Sequence, residues 1–180
     1  MINKTPPFIQ SRSGQYINLL EPDSALFSIE DIAHGLSHIC RFGGHCREFY
    51  SVAQHSVLTS YLVPKEDQFA ALMHDAAESY IGDIPKPLKE LLLDYQVVEQ
   101  RMEFALFKKF GVQFPLPKSV KHADLVMLAT ERRDLMPADD LDGCPIISGI
   151  APASFQIFPE SSEKAKQSFL ERFAHLSSKP

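Results

Sequence analysis

Apolar side chains recur every three to four residues in several stretches of the chain, the spacing of helices that bury one face. The clearest stretches contain Val98, Met102, Ala105 and Leu106 in one case and Phe169, Leu170, Phe173 and Leu176 in the other. No convincing pair of alternating strands is visible. The pattern predicts an all-α fold, a bundle of six or seven helices.

Capping residues and helix breakers give the expected positions of these helices. They are predicted at about 29–39, 52–63, 66–80, 87–93, 94–110, 118–135 and 161–177. Ser28, Ser51 and Ser161 precede three of them as N-cap residues. Gly111 and Pro137 end two others, because glycine favours a helix C-terminus and proline cannot continue a helix.

Two segments lack helical periodicity. Residues 1–27 are expected to form an irregular lead-in with a short extended piece at 16–19. Residues 137–160 are expected to form a long surface loop that leads into the C-terminal helix. The chain is therefore predicted to be a single domain, with its core at about 29–135.

The stretch of residues 70–78 is apolar except where it carries chemistry. His74 and Asp75 stand side by side among alanines and leucine, and Glu78 follows at helical spacing. A buried charge without a partner is costly. The sequence therefore predicts that a cation, or another polar group from elsewhere in the chain, lies beside this stretch.

Three predicted helices can supply the residues of such a site. His55 comes from one helix, His74 and Asp75 from the central one, and Asp124 from a later one. Imidazole nitrogens and carboxylate oxygens are ligands of divalent metals. Together with Glu78, these residues predict a site for one divalent ion. Its identity stays open among Mn, Co, Mg, Zn, Fe and Ni, because several divalent ions accept this ligand set.

Two other groups of potential metal ligands are weaker. His38, Cys40, His45 and Cys46 lie close in sequence but lack the paired spacing of a structural zinc site. Residues 139–143 are acidic and end in glycine, yet they lack the alternate ligands and terminal glutamate of a calcium loop. We interpret the second group as a solvated turn.

Charge and composition restrict the classes of partner. The formal net charge is −5, and no long run of Lys or Arg occurs, which argues against binding a nucleic-acid polymer. No stretch approaches the roughly 20 apolar residues of a membrane span. Cys40, Cys46 and Cys144 are a small, odd set that suits a reducing compartment. The N-terminus has no signal-peptide pattern, so a cytoplasmic location is expected.

The order of a first histidine, a His-Asp doublet and a final aspartate resembles the HD superfamily of metal-dependent phosphohydrolases. The likeness covers about residues 29–130 and is greatest to the branch of bacterial 5′-deoxynucleotidases. Residues 52–56 resemble the segment of the first histidine in that family, and residues 123–124 resemble the segment of its final aspartate. The resemblance implies an all-helical HD domain in which His55, His74, Asp75 and Asp124 bind the metal.

The resemblance also implies roles for residues around the doublet. Glu78 and Asp83 match catalytic carboxylates, with the roles of base and acid left open between them. Arg41 and Phe42 match an Arg-aromatic pair that contacts substrate, although the family often has Trp in the second position. Lys86 and Lys89 are further cationic candidates, and His45 is a candidate for contact with the substrate phosphate.

The expected activity is therefore an enzymatic one, release of phosphate from (deoxy)nucleoside 5′-monophosphates. Alternatives are an HD hydrolase of cyclic nucleotides, alarmones or triphosphates, and a nucleotide-binding module without catalysis. An HD oxygenase with two irons is disfavoured, because His122 is the only histidine between Asp75 and Asp124 and falls on roughly the opposite helix face from Asp124. The resemblance further suggests a homodimer.

Overall fold

The described part of the chain is mostly helical, as the hydrophobic pattern predicts. A computed structural model describes residues 7–137 and 145–178. Its α-helices are α1 Ile29–His38, α2 Val52–Thr59, α3 Gln68–Met73, α4 Glu78–Ile81, α5 Lys86–Lys89, α6 Leu93–Phe110, α7 Lys118–Leu135 and α8 Ser162–Ser177. Single 3₁₀ turns lie at Pro22–Ser24, Arg41–Gly44, Lys65–Asp67 and Pro145–Ile147.

The predicted capping residues act as helix boundaries. The Ser28 hydroxyl accepts a hydrogen bond from the backbone N–H of Asp31 at 3.1 Å. Ser51 and Ser161 cap α2 and α8 in the same way. Gly111 ends α6 in the left-handed conformation, with φ of 70°. The local chemistry of the chain thus determines where these helices begin and end.

The N-terminal lead-in is more regular than the sequence indicates. β1 Phe8–Gln10 pairs antiparallel with β2 Tyr16–Asn18, and Ile9 lies opposite Ile17. The expectation of no strand pair is therefore wrong at this place, although an extended piece at 16–19 is confirmed. Strands of three residues are too short to show an alternating pattern in the sequence. The pair is held against the core by Ile17, which is only 1% exposed.

The central segment is not one continuous helix. The predicted helix at 66–80 is divided into a 3₁₀ turn, α3, four residues in turns at 74–77, and α4. The N–H of Ala76 donates to the Met73 carbonyl at 3.0 Å, and that of Glu78 donates to the Asp75 carbonyl at 2.9 Å. These bonds span three residues, as in the tighter 3₁₀ geometry. The winding therefore changes at the His-Asp doublet.

Three other predicted segments differ in part. The helix expected at 52–63 ends earlier, at Thr59. The short helix expected at 87–93 is observed as α5, Lys86–Lys89, and α6 begins at Leu93. The expected loop at 137–160 contains the 3₁₀ turn Pro145–Ile147 and is otherwise without helix or strand where it is described. The acidic turn at 139–143 and Cys144 lie outside the described residues.

The core lies where α8 packs across α1, α2 and α3. It includes the fully buried side chains of Ile32, Leu36, Leu72, Met73 and Phe169. A smaller apolar cluster of Tyr50, Met127, Leu135 and Ile157 packs between α7 and the segment after Pro145–Ile147. The described helices include none that is both long and apolar enough to cross a membrane.

A close approach of α1 to α4 depends on Gly35. A Cβ atom at this position would lie 2.6 Å from the carbonyl oxygen of Ser79, a separation that real Cβ atoms do not tolerate. Glycine therefore allows the two backbones to touch. The contact fixes α4, and with it the position of Glu78, against the core.

Candidate metal centre

Four donor atoms converge where α2, α7 and the turn between α3 and α4 meet. His55 Nε2 lies 3.3 Å from His74 Nε2, 3.3 Å from Asp124 Oδ1 and 3.5 Å from Asp75 Oδ2. His74 Nε2 lies 3.2 Å from the same oxygen of Asp75. The structure thus brings together all four residues that the sequence predicts as metal ligands.

The donor set fits a divalent ion. Ligands bound at about 2.1 Å in octahedral or tetrahedral geometry are separated by about 3.0–3.5 Å from their neighbours. The donor atoms of His55, His74 and Asp124 all lie within 4.8 Å of one another, and they form the only such group of three or more found in the described residues. These three residues lie close enough to bind a metal ion.

Electrostatics at the centre favour a cation. Burial and the charge of Arg41 lower the pKa of His55, but Glu131 and Asp124 outweigh them and raise it to about 9. Burial raises the pKa of Asp124, yet the hydrogen bond and charge of His55 bring it below its usual value. The carboxylates thus stabilise positive charge where the imidazoles point.

The site is buried on one side and open on the other. The side chain of His55 is fully buried and that of His74 is 7% exposed, whereas that of Asp124 is 42% exposed. The Nδ1 of His74 bonds to the Ala71 carbonyl at 2.7 Å, which leaves Nε2 directed at the cluster. Water or a substrate can therefore approach from the side of Asp124.

Glu131 belongs to the site, although it is not among the residues that the sequence predicts there. Its carboxylate is fully buried, and Oε1 lies 2.6 Å from His55 Nδ1. Its other oxygen accepts from Arg41 Nε at 3.2 Å and from Nη2 at 3.1 Å. The signal was present in the spacing, because Glu131 follows Asp124 by seven residues, two turns along one helix face.

Arg41 lies at the edge of the cluster in the 3₁₀ turn Arg41–Gly44. Its Nη1 lies 3.9 Å from Asp75 Oδ2 and 3.9 Å from Asp83 Oδ2. Phe42 has a φ of 56°, a strained conformation for a residue with a side chain, and its ring lies 5.7 Å from the Arg41 guanidinium. The turn therefore directs Arg41 toward the carboxylates.

The pKa values of two carboxyl groups beside the donor atoms are raised, so these groups retain a proton more readily than an exposed carboxyl does. Glu78 is 8% exposed, and its Oε2 is buried without a hydrogen-bond partner among the described residues. Burial, followed by the charges of Asp75 and Asp83, raises the pKa of Glu78 well above its usual value. Burial also raises the pKa of Asp83, against the charge of Arg41. The predicted catalytic residues thus lie next to the predicted metal ligands.

The remaining predicted substrate residues lie farther out. His45 and Lys86 are exposed, and Phe42 is partly buried. Lys89, a cationic candidate of the sequence, has its Nζ 2.5 Å from Glu99 Oε1. Burial lowers the pKa of Lys89, but Glu99, followed by the charges of Glu78 and Asp75, raises it above its usual value. Lys89 is therefore the lysine of α5 that faces the carboxylates.

The weaker ligand groups of the sequence have other contacts. His38 Nδ1 lies 2.8 Å from the His34 carbonyl, and the two rings are 4.0 Å apart. The Cys46 thiol donates to the Arg41 carbonyl at 3.5 Å. His122 is exposed on α7. His38 and Cys46 thus both contact backbone carbonyls.

A cleft of about 550 Å³ between α5 and α6 is lined in part by Lys89, Glu99 and Glu103. Burial, followed by the charge of Glu99, raises the pKa of Glu103 to about 7 from 4.5. Because the pKa of Glu103 is higher in the folded state than in the unfolded state, its protonated form stabilises the fold. This stabilisation is fully present below pH 4.5 and is lost as the pH rises through 7. Glu103 thus destabilises the fold in neutral solution.

Glu103→Gln is therefore expected to make unfolding less dependent on pH between 5 and 8. The free energy of unfolding of the variant relative to wild type should be about 1–2 kcal/mol higher at pH 8 than at pH 5. This value allows for the partial exposure of Glu103. The gain corresponds to roughly 2–4 °C of Tm per kcal/mol. Thermal melts at both pH values measure it, with exposed Glu171→Gln as the control. Equal Tm differences at the two pH values contradict the prediction.

No protein-family model matches the chain. It is 48% identical over 173 residues to the uncharacterized protein YfdR of Escherichia coli K12, an alignment that covers 94% of this chain and 96% of that protein. It is also 36% identical over 121 residues to an uncharacterized protein of Rhodobacter capsulatus, which covers 62% of each chain. Neither relative has a name that states an activity.

Proposed function

We propose that this chain, which belongs to the family of the Escherichia coli protein YfdR, is a metal-dependent phosphohydrolase. Its proposed substrates are (deoxy)nucleoside 5′-monophosphates, from which it releases phosphate. The observation that carries the proposal is the convergence of four donor atoms from three parts of the fold beside the buried carboxyl of Glu78. The resemblance of the same residues to the HD superfamily supports the reaction class.

The metal ligands of the proposal are His55, His74, Asp75 and Asp124. A divalent ion bound by them would stabilise negative charge on phosphoryl oxygens and lower the pKa of water. The partly exposed Asp124 lies on the open side of the cluster, so a phosphate group can reach the donors from there. One such ion per chain is proposed.

Arg41 is proposed to bind the substrate phosphate. Its Nε and Nη2 are held by Glu131, whereas Nη1 lies 3.9 Å from Asp75 and Asp83, beyond hydrogen-bond distance. Nη1 therefore retains donor capacity toward an incoming phosphate oxygen. A guanidinium suits this role because its donors stay charged and are fixed in one plane.

Glu78 and Asp83 are proposed to move protons. Glu78 is buried three residues after Asp75, so its carboxyl can orient a water molecule and exchange a proton with it. Asp83 Oδ2 lies 3.9 Å from Arg41 Nη1, and its carboxyl can exchange a proton with the departing 5′-oxygen or hold a sugar hydroxyl. Because the pKa values of both carboxyls are raised, each can hold a proton at a higher pH than an exposed carboxyl does.

Phosphate release from the purified protein, stripped of metal with EDTA, tests the proposal. Each deoxy- and ribonucleoside 5′-monophosphate is supplied with Mn²⁺, Co²⁺, Mg²⁺ or no metal. Release that needs metal and persists in His122→Ala, an exposed change on the helix of Asp124, is the expected result. Absence of release from every monophosphate contradicts the proposal. Hydrolysis of cyclic nucleotides, alarmones or triphosphates instead would keep the reaction class and change the substrate class.

A cytoplasmic location is proposed together with this activity. Cys40 and Cys46 are both free thiols, as expected in a reducing compartment. Separation of cell extract into cytoplasmic and membrane fractions, followed by detection of the protein, checks this location.

A further inference from the structure

Glu131 occupies the only buried position in the described structure where one carboxylate joins a predicted metal ligand to Arg41. Oε1 contacts His55 Nδ1 at 2.6 Å, and Oε2 contacts Arg41 at 3.1 Å and 3.2 Å. The side chain of Glu131 is fully buried, and that of Arg41 is 11% exposed. A salt bridge at this depth requires good geometry, because both charges lose their hydration.

The contact determines which nitrogen of His55 can bind a metal. An ionised carboxylate only accepts hydrogen bonds, so His55 Nδ1 must carry the proton that it shares with Glu131. A metal can then displace only the proton of Nε2 and bind to that nitrogen, which faces His74, Asp75 and Asp124. Carboxylates that accept from the second nitrogen of a metal-binding histidine commonly fix its tautomer and ring orientation.

We propose that Glu131 is a positioning residue that holds His55 Nε2 and Arg41 toward the same point at once. The inference rests on the metal site of the proposed function, and it adds a residue and a coupling that the HD-like motif does not contain. It explains why a fully buried glutamate is present on α7, two turns after Asp124. The metal site and the proposed phosphate-binding residue therefore depend on one carboxylate.

Glutamine at this position cannot satisfy both partners. Arg41 is donor-only and His55 Nδ1 must donate, but an amide offers one accepting oxygen and one donating nitrogen. If the oxygen stays with Arg41, the amide N–H faces His55 Nδ1 and favours the tautomer with a proton on Nε2. If the oxygen stays with His55, the amide faces the donors of Arg41. Glu131→Gln therefore disturbs one of the two contacts with little change in volume.

The experiment is a titration of Mn²⁺ into the metal-free protein, followed by calorimetry, with no nucleotide present. Glu131→Gln is expected to raise the Kd by about 10–100-fold, the usual effect of losing such a partner. Asp83→Asn is the matched control. This substitution also removes a carboxylate next to Arg41. The Asp83 carboxylate interacts with His55 through its charge, but among the described residues it makes no hydrogen bond to His55. Its Kd is expected to rise much less.

A second readout separates positioning from a loss of charge. In ¹⁵N NMR spectra of the histidine side chains at saturating Zn²⁺, a diamagnetic ion, wild type should show His55 protonated on Nδ1 only, and Glu131→Gln should shift or remove that signal. Asp83→Asn should leave it unchanged. If Glu131→Gln does not fold, as judged by circular dichroism, Glu131→Asp replaces it, because the shorter side chain keeps the charge but withdraws from His55.

The outcomes distinguish this inference from the proposed function. Equal Kd values for wild type and Glu131→Gln, or equal increases in Glu131→Gln and Asp83→Asn, overturn the positioning role even if phosphate is released. A wild-type protein that binds Mn²⁺ and loses affinity in Glu131→Gln supports it even if no monophosphate is hydrolysed. A wild-type protein that binds no divalent metal overturns both.

Discussion

Alanine at His74, Asp75 or Asp124 is expected to remove both the bound metal and the release of phosphate. Each residue supplies one of the four converging donor atoms, and no other group of three or more donors is found in the described residues. A bound metal stabilises charge by several kcal/mol in such reactions. Because each 1.36 kcal/mol is about tenfold in rate, kcat should fall by at least about 10³-fold.

The measurement combines metal content, determined by mass spectrometry after dialysis, with kcat for the best monophosphate of the panel. His122→Ala is the matched control, since it removes an imidazole from an exposed position on α7, two residues before Asp124. Wild-type activity in all three alanine variants would refute the assignment of the site. A loss of fold is recognised from the thermal melt, and His74→Gln then provides a milder substitution.

Glu78→Gln is expected to keep the metal and lower kcat. The carboxyl is buried beside Asp75, its Oε2 has no partner among the described residues, and it is not one of the four converging donors. Loss of a positioned proton donor or acceptor reduces rates by about 10²–10⁴-fold. Because glutamine keeps the volume of the side chain, KM and metal content should change little.

Steady-state kinetics and metal analysis of Glu78→Gln test this role, with Glu66→Gln as an exposed control in the turn before α3. If the metal is lost together with the activity, Glu78 serves to build the metal centre and does not act on the reaction directly. If kcat is unchanged, Asp83 remains the only carboxyl of the pair that fits a catalytic role, and Asp83→Asn becomes the decisive variant.

The sequence by itself determined the helical class and most helix boundaries. Ser28, Ser51 and Ser161 cap helices with contacts to residues only three positions away, so local chemistry is sufficient to predict them. The sequence also determined which residues could bind a metal. His74 and Asp75 in an apolar run require polar partners wherever the chain folds, and His55 and Asp124 are suitable residues on other helices.

Only the tertiary structure decided how these groups are connected. Glu131 and His55 are separated by 76 residues in sequence, and their contact exists because α7 packs against α2. The pairing of Arg41 with Glu131 spans 90 residues and depends on the turn that begins at Arg41. Periodicity places Glu131 on the same helix face as Asp124, but it contains no information about which faces meet, so it could not identify His55 and Arg41 as its partners.

The tertiary structure also decided local details that propensity predicts poorly. The winding changes at 74–77, within a run of good helix formers, where α4 packs directly on Gly35. The hairpin of β1 and β2 is held to α1 by the Ser13 hydroxyl, which donates to Asp31 at 2.6 Å. In each case a contact between distant segments outweighs a local preference that is worth less than about 1 kcal/mol per residue. The sequence therefore determined the helices and the chemistry they carry, and packing determined their arrangement in space.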